Sequence, residues 1–114
     1  MKYANVIINI NHTDVDRIFD YGIPKGIENI VKEGMRVIVP FGNSNKKTEG
    51  YVISISDNTD VPSEKLKNII NICDDFPIFS KEMIKLALWL KEKYYTTLSA
   101  CLKTIMPSGI GIKT

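Results

Sequence analysis

Apolar and polar residues alternate along several stretches of the first 75 residues, which predicts short β-strands with one buried face each. The clearest pair is MRVIVPFG at residues 35–42 and EGYVISISD at residues 49–57. The polar residues 43–48, NSNKKT, lie between them and predict the loop of a hairpin. Pro40 lacks a backbone donor, so we expect the end of the first strand at a sheet edge or a bulge.

Three further segments are candidate strands, namely VIINI at 6–10, RIFDYGIP at 17–24 and LKNIINIC at 66–73. Pro24 is expected to end the second of them. The third also fits a helical period, and both interpretations remain open for it. Asp20 is unusual within the second segment, because Asp is depleted in strands, where its short side chain competes for backbone hydrogen bonds.

A helical period replaces the strand pattern after Phe79. Residues 81–95 are predicted to form an amphipathic helix, with Ser80 as its N-cap and with Phe79 and Ile84 as a hydrophobic staple. The residues expected on its buried face, where it covers the strands, are Met83, Ala87, Leu90 and Tyr94.

A second, shorter helix is predicted at residues 98–105. Thr97 is its expected cap, and Pro107 is expected to end it. The tail SGIGIKT, residues 108–114, is rich in glycine and is predicted to be a linker.

Strands followed by helices predict an α+β fold, with a small antiparallel β-barrel of OB-like type followed by one or two C-terminal helices. The chain of 114 residues corresponds to one domain. We expect this domain to cover residues 1–107, with a strand-rich part at 1–75 and a helical part at 80–106. OB-like barrels often bind oligonucleotides.

The composition, with 44% hydrophobic and 25% charged residues, is that of a folded protein, and the net charge of +2 does not by itself indicate nucleic-acid binding. Cys73, Cys101 and the single histidine, His12, lack the spacing of a zinc site. We expect both thiols to be buried in a reducing compartment, and the sequence leaves a disulfide between them open as the alternative. Apolar runs are too short to span a membrane and no signal peptide is visible, so a cytoplasmic location is expected.

Sequence motifs for catalysis are missing, which argues against an enzyme. The chain has no phosphate-binding G-x-x-x-x-G-K-[ST] motif and no dinucleotide-binding G-x-G-x-x-G motif after a strand. The single histidine in a predicted turn gives no basis for a Ser/His/Asp arrangement. No cofactor is therefore expected in this chain.

The segments DRIFDYGIP, EGMRVIVPFG, EGYVISISD, LKNIINICDDFPIFSKEMIKLALWLKEKYY and LKTIMPSGI occur in this order. Over about residues 3–110 the chain resembles the N-terminal 3′-end DNA-binding domain of the primosomal protein N′ (PriA) family, the bacterial replication-restart helicases. The D-R-x-F-D-Y and G-M-R-V-x-V-P-F-G segments are the most specific. The resemblance implies capture of the 3′ end of the nascent leading strand at a stalled replication fork.

The resemblance also implies a set of site residues and partners. The family's pocket for the terminal nucleotide corresponds to Phe19, Asp20, Tyr21, Gly42 and Lys67. The partners implied are DNA with a free 3′ end, forked DNA and the remainder of the helicase in the same polypeptide, with no membrane and a monomeric state. ATP and zinc are expected only in that remainder, which carries the ATPase.

The residues also have plainer interpretations. From spacing alone, Asp20 is better explained as a turn cap or a partner of Arg17, whereas the resemblance favours a carboxylate that accepts a hydrogen bond from a 3′-hydroxyl. Phe19 and Tyr21 share one strand face, and the sequence leaves open which ring packs in the core and which contacts a nucleotide. The weaker phosphate candidates are Lys46, Lys47, Arg17 and Arg36.

Two other functions remain open from the residues. The first is an SH3-like protein-interaction module that binds a peptide through its aromatic residues. The second is a general OB module for single-stranded nucleic acid. An oligonucleotide whose 3′ end is either free or blocked distinguishes them, because only an end-binding domain discriminates between the two forms.

Overall fold

The computed structural model describes residues 2–8, 18–74, 76–94 and 96–105. Five antiparallel strands form one sheet in the order β2-β1-β4-β3-β5, and two helices follow. These elements are β1 (Lys2–Ile8), β2 (Ile18–Ile23), β3 (Arg36–Phe41), β4 (Lys46–Ser56), β5 (Asn71–Ile72), α1 (Lys81–Tyr94) and α2 (Leu98–Ile105). The α+β class is confirmed. The sheet is open, with β2 and β5 at its edges, and closure into a barrel is not shown.

The hairpin between β3 and β4 is tighter than the sequence predicts. Phe41 pairs with Lys46, so only residues 42–45 form the turn, and the remainder of the predicted loop belongs to β4. Gly42 has a φ of 78° and Asn45 a φ of 52°, both in the left-handed region that these residue types tolerate best. The position of Pro40 agrees with its prediction, because β5 pairs only with Val37 and Ile38 and leaves this end of β3 uncovered.

The segment 66–73 is neither a full strand nor a helix. Asn71 and Ile72 pair with β3, whereas Lys67 and Ile69 exchange backbone hydrogen bonds of 2.9 and 3.0 Å with Gly22 in β2. One chain segment therefore contacts two strands that are not neighbours in the sheet. This contact carries Lys67 to the end of the sheet where the other predicted site residues lie.

Each face of the sheet has its own hydrophobic core, because successive side chains of a strand point to opposite faces. Val6 and Ile8 of β1 pack with Val37 and Val39, which confirms the predicted apolar face of β3. Ile7 lies on the other face, where the helices pack. The buried residues of that second core are Ile7, Tyr51, Ile78, Phe79, Ile84, Ala87, Leu98, Cys101 and Leu102.

Both predicted helix caps are confirmed. The Ser80 hydroxyl accepts a hydrogen bond from the Met83 amide at 3.1 Å, and the Thr97 hydroxyl accepts one from the Ala100 amide at 3.1 Å. The prediction for Tyr94 is wrong, since this side chain is 62% exposed. Only Ile84 and Ala87 of α1 are buried, so the helix covers the sheet with a narrower stripe than its apolar residues suggest.

The two cysteines differ in their surroundings. Cys101 is buried as predicted, but Cys73 is exposed at the end of the β5 segment, and both are thiols rather than halves of a disulfide. Across the ranges given above, neither helix is long and apolar enough to cross a membrane. The predictions for His12, Arg17, Pro107 and the linker 108–114 lie outside the described residues, as does the last residue of the first predicted helix.

Candidate functional site

A cavity of about 340 Å³ lies beside the edge strand β2, and all five residues predicted for the site line it. Three chain segments form its walls, namely β2, the turn after β3 and the stretch from 61 to 67. The lining residues are Phe19, Asp20, Tyr21, Phe41, Gly42, Asn43, Val61, Lys65 and Lys67. Its volume falls at the lower end of the range for ligand pockets, about 300–1,000 Å³.

The two aromatic residues of β2 have different environments. Tyr21 is 4% exposed and belongs to the core, and its hydroxyl donates a hydrogen bond of 2.9 Å to the carbonyl oxygen of Pro40. Burial raises the pKa of Tyr21 above its usual value. Phe19 is 42% exposed, and its ring centroid lies 5.6 Å from that of Phe41. Phe19 is therefore the accessible ring, a point that the sequence leaves open.

The Asp20 carboxylate is half-buried and is held by two neutral donors. The Asn5 side-chain amide donates to Oδ1 at 3.1 Å, and the Thr59 hydroxyl donates to Oδ2 at 2.7 Å. Within the part of the chain that the structure describes, no Lys or Arg forms an ion pair with it. A carboxylate has about four acceptor positions, so these two bonds leave acceptor positions unused on Asp20, a residue that lines the cavity.

Sequence reasoning missed six residues of this site: Asn5, Thr59 and Phe41, and the further lining residues Asn43, Val61 and Lys65. Asn5 is the one amide side chain in β1, and it lies opposite Asp20 in the pairing of β1 with β2. A correct prediction of that pairing would have identified it. Thr59 lies 39 positions from Asp20, and no local pattern connects them. Phe41 directly precedes Gly42, but the alternation of β3 indicates only a core residue.

Lys67 and Gly42 contact each other directly. The ammonium group of Lys67 donates a hydrogen bond of 2.8 Å to the carbonyl oxygen of Gly42. This bond connects the 61–67 wall of the cavity to the turn after β3. A Cβ atom built at Gly42 would meet nothing within 4 Å, so the positive φ is what favours glycine there.

Positive charge at the cavity comes from Lys65 and Lys67, which line the same wall. Lys46 and Lys47 are exposed on β4 but do not line the cavity. Arg36, predicted as a weak phosphate candidate, is buried and bound by Asp74 at 3.0 and 3.2 Å. That prediction is wrong, because the guanidinium is already occupied inside the protein.

A larger cavity of about 570 Å³ lies near the start of α1. Its charged lining residues are of both signs, Lys2, Glu28, Lys32, Glu33 and Lys81, and it contains none of the predicted site residues. Nor does the described part of the chain group three His, Cys, Asp or Glu side chains for a metal ion. The smaller cavity is therefore the better candidate, since it combines an exposed ring, a carboxylate acceptor and two cations.

Comparison with known proteins gives an independent result. Residues 5–107 match the family model of the 3′ DNA-binding domain (3′BD) of PriA. The chain is 32% identical over 113 residues to the replication restart protein PriA of Bacillus subtilis (strain 168), which covers 99% of this chain and 14% of that protein. PriA of Haemophilus influenzae is 33% identical over 107 residues, which covers 94% of this chain and 14% of that protein. The chain thus spans about one seventh of the length of these relatives.

Proposed function

Since this chain belongs to the family of PriA 3′ DNA-binding domains, we propose that its 340 Å³ cavity binds the 3′-terminal nucleotide of a DNA strand. The observation that carries the proposal is the state of Asp20. Asp20 lines the cavity, and its carboxylate lacks a cationic partner among the described residues and keeps unused acceptor positions.

Asp20 supplies the preference for an end. An ionised carboxylate only accepts hydrogen bonds, and a 3′-hydroxyl is a donor of suitable chemistry. A 3′-phosphate brings negative charge to the same place and is repelled. An internal linkage is disfavoured as well, because it lacks the hydroxyl hydrogen. A strand end is thereby distinguished from the interior of a strand.

The remaining lining residues hold the nucleotide without reading its base. Stacking of a base on an aromatic ring contributes about 1–3 kcal/mol and depends little on base identity, and Phe19 is the ring available for it. Gly42 brings exposed backbone to the cavity. Lys67 and Lys65 are placed to attract the phosphate that joins the terminal nucleotide to the next one.

We propose the wider setting from the relatives. The domain is expected to work within a replication restart protein, where it recognises the 3′ end of a nascent leading strand at a stalled fork. Helicase activity, ATP and zinc are assigned to the remainder of such a protein and not to this chain. Binding of forked DNA, contact with the remainder of the helicase and a monomeric state belong to the same proposal.

The test is fluorescence anisotropy with a short labelled single strand that ends in either a 3′-hydroxyl or a 3′-phosphate. Replacing Asp20 with alanine should weaken binding of the hydroxyl end by about 1.5–3 kcal/mol, roughly 10- to 150-fold, the range for hydrogen bonds to charged groups. Binding of the phosphate end should change little. Asp60→Ala is the matched control, because Asp60 is an exposed acid nearby that does not line the cavity.

The outcomes separate the candidate functions. Equal losses for both ends in Asp20→Ala would refute the end-detector role. If the wild type is a general single-strand module, it would bind the hydroxyl-ended and the phosphate-ended strand equally. If it is a peptide-binding module, it would bind neither strand. Asp20→Asn keeps the shape of the side chain and one acceptor oxygen, so it guards against misreading a loss of folding as a loss of binding.

A further inference from the structure

The Asp20 carboxylate is held in place from two different parts of the fold. We propose that Thr59, together with Asn5, is a positioning residue that fixes the orientation of this carboxylate and thereby sets discrimination between 3′-hydroxyl and 3′-phosphate ends. The inference rests on the proposed function of the cavity. It adds to that function two residues that contribute no direct contact to the nucleotide.

The two hydrogen bonds constrain different oxygens. Asn5 lies opposite Asp20 in the paired strands β1 and β2, and its amide donates to Oδ1 at 3.1 Å. Thr59 lies in the irregular segment that follows β4, and its hydroxyl donates to Oδ2 at 2.7 Å. With each oxygen bound from a separate element, rotation of the carboxylate about its terminal bond is blocked. The remaining acceptor positions then keep one direction relative to the cavity.

The Thr59 hydroxyl is itself committed to this role. The backbone amide of Val61 donates to the same hydroxyl oxygen at 3.2 Å. A hydroxyl has one hydrogen, and because an ionised carboxylate can only accept, that hydrogen is directed to Asp20 while the oxygen accepts from Val61. Val61 lines the cavity, so a single threonine joins the orientation of the carboxylate to the position of one cavity wall.

The Thr59 hydrogen bond is the main described contact that holds the segment around Thr59 against β2. Residues 57–61 form no helix or strand, and Thr59 is half-buried while Asn58 and Asp60 on either side are exposed. A second hydroxyl bond in this region, from Ser56 to the carbonyl oxygen of Asn58 at 2.8 Å, stays within the segment and does not reach Asp20. Ser56 therefore provides a control for local order in the segment.

The experiment measures the ratio of affinities for hydroxyl-ended and phosphate-ended strands, for the wild type and for Thr59→Val, Thr59→Ser and Ser56→Ala. Thr59→Val keeps the side-chain shape without the donor, and the ratio should fall about 5-fold, the effect of one ordinary hydrogen bond. The loss should appear in the hydroxyl-ended strand alone. Thr59→Ser restores the hydroxyl and should restore the ratio. Ser56→Ala should leave it at the wild-type value.

Several results would overturn the inference. If Thr59→Val keeps the wild-type ratio of affinities, Thr59 has no positioning role. The proposed function would still stand in that case, provided that Asp20→Ala binds the hydroxyl-ended and phosphate-ended strands with equal affinity. If the ratio of affinities falls by a similar factor in Thr59→Val and in Ser56→Ala, the effect would come from disturbing the structure of the whole segment and not from Thr59 itself. A wild type that binds both ends equally would refute the proposed function, and this inference with it.

Discussion

Lys67 has two possible contributions to nucleotide binding, and replacement with methionine separates them. Its ammonium group donates one hydrogen bond, of 2.8 Å, to the carbonyl oxygen of Gly42. An ammonium has three donors, so two remain for a phosphate. Methionine keeps an unbranched apolar stem and removes the charge. The variant therefore loses both the connection to the turn and any contact with DNA phosphate.

The two contributions depend differently on salt. Each phosphate neutralised on a single strand contributes about −0.7 to the slope of log affinity against log salt concentration. Losing one such contact should make the slope shallower by about 0.7. Between about 50 and 200 mM salt, the wild type should then lose roughly 2.6-fold more affinity than Lys67→Met. Loss of the Gly42 bond alone weakens binding by a similar factor at every salt concentration.

The assay is a salt titration of anisotropy with a hydroxyl-ended strand, for the wild type, Lys67→Met and Lys47→Met. Lys47 is exposed on β4 and does not line the cavity, so its variant controls for the loss of one positive charge. An unchanged slope in Lys67→Met would exclude a phosphate contact and leave only the connection to Gly42. Equal changes in both variants would show that the charge acts from a distance rather than at the cavity.

Two further predictions concern folding. Gly34 has a φ of 89°, and an added Cβ would lie 1.8 Å from the carbonyl oxygen of Phe79, so Gly34→Ala should lower the free energy of unfolding, measured in urea, by at least about 2 kcal/mol. Gly26→Ala is the control and should not lower it in this way, because Gly26 has open space around it. Equal losses in the two variants would contradict this reasoning. Burial, followed by the charge of Glu49, raises the pKa of Tyr51 to about 12, so the unfolded chain ionises first and stability should fall between pH 10 and 12. At pH 11 the Tyr51→Phe variant should lose roughly 1 kcal/mol less of its free energy of unfolding than the wild type. If the free energies of unfolding of both proteins fall equally between pH 10 and 12, the assignment to Tyr51 is refuted.

Features with a local cause were predictable from the sequence. The caps Ser80 and Thr97 act on amides three residues away, and the alternation in β3 needs only a period of two. The predicted face of α1 was less accurate, as Tyr94 shows. A helical period defines which side chains share a face, but the width of the buried stripe depends on what the helix packs against.

Features formed by distant residues were not predictable in this way. Arg36 looks like a surface cation on the polar side of β3, but its partner Asp74 lies 38 positions away and closes over it. The difference between Phe19 and Tyr21 has a similar origin. Both rings share a face of β2, yet Tyr21 lies under the carbonyl of Pro40 whereas Phe19 lies near the end of the strand. Burial here depends on strand order, which one sequence does not reveal.

The environment of Asp20 distinguishes a carboxylate that serves structure from one that serves binding. If its purpose were only to hold Thr59 and Asn5, a cationic partner would stabilise it further, and buried charges are usually paired in this way. Within the described ranges its partners are neutral donors, one to each oxygen, and they orient the group without cancelling its charge. An oriented, half-buried negative charge beside a cavity is costly for stability alone. We infer that the charge is retained for a donor that arrives from outside the domain, and a terminal hydroxyl fits that requirement better than a phosphate or a neutral acceptor.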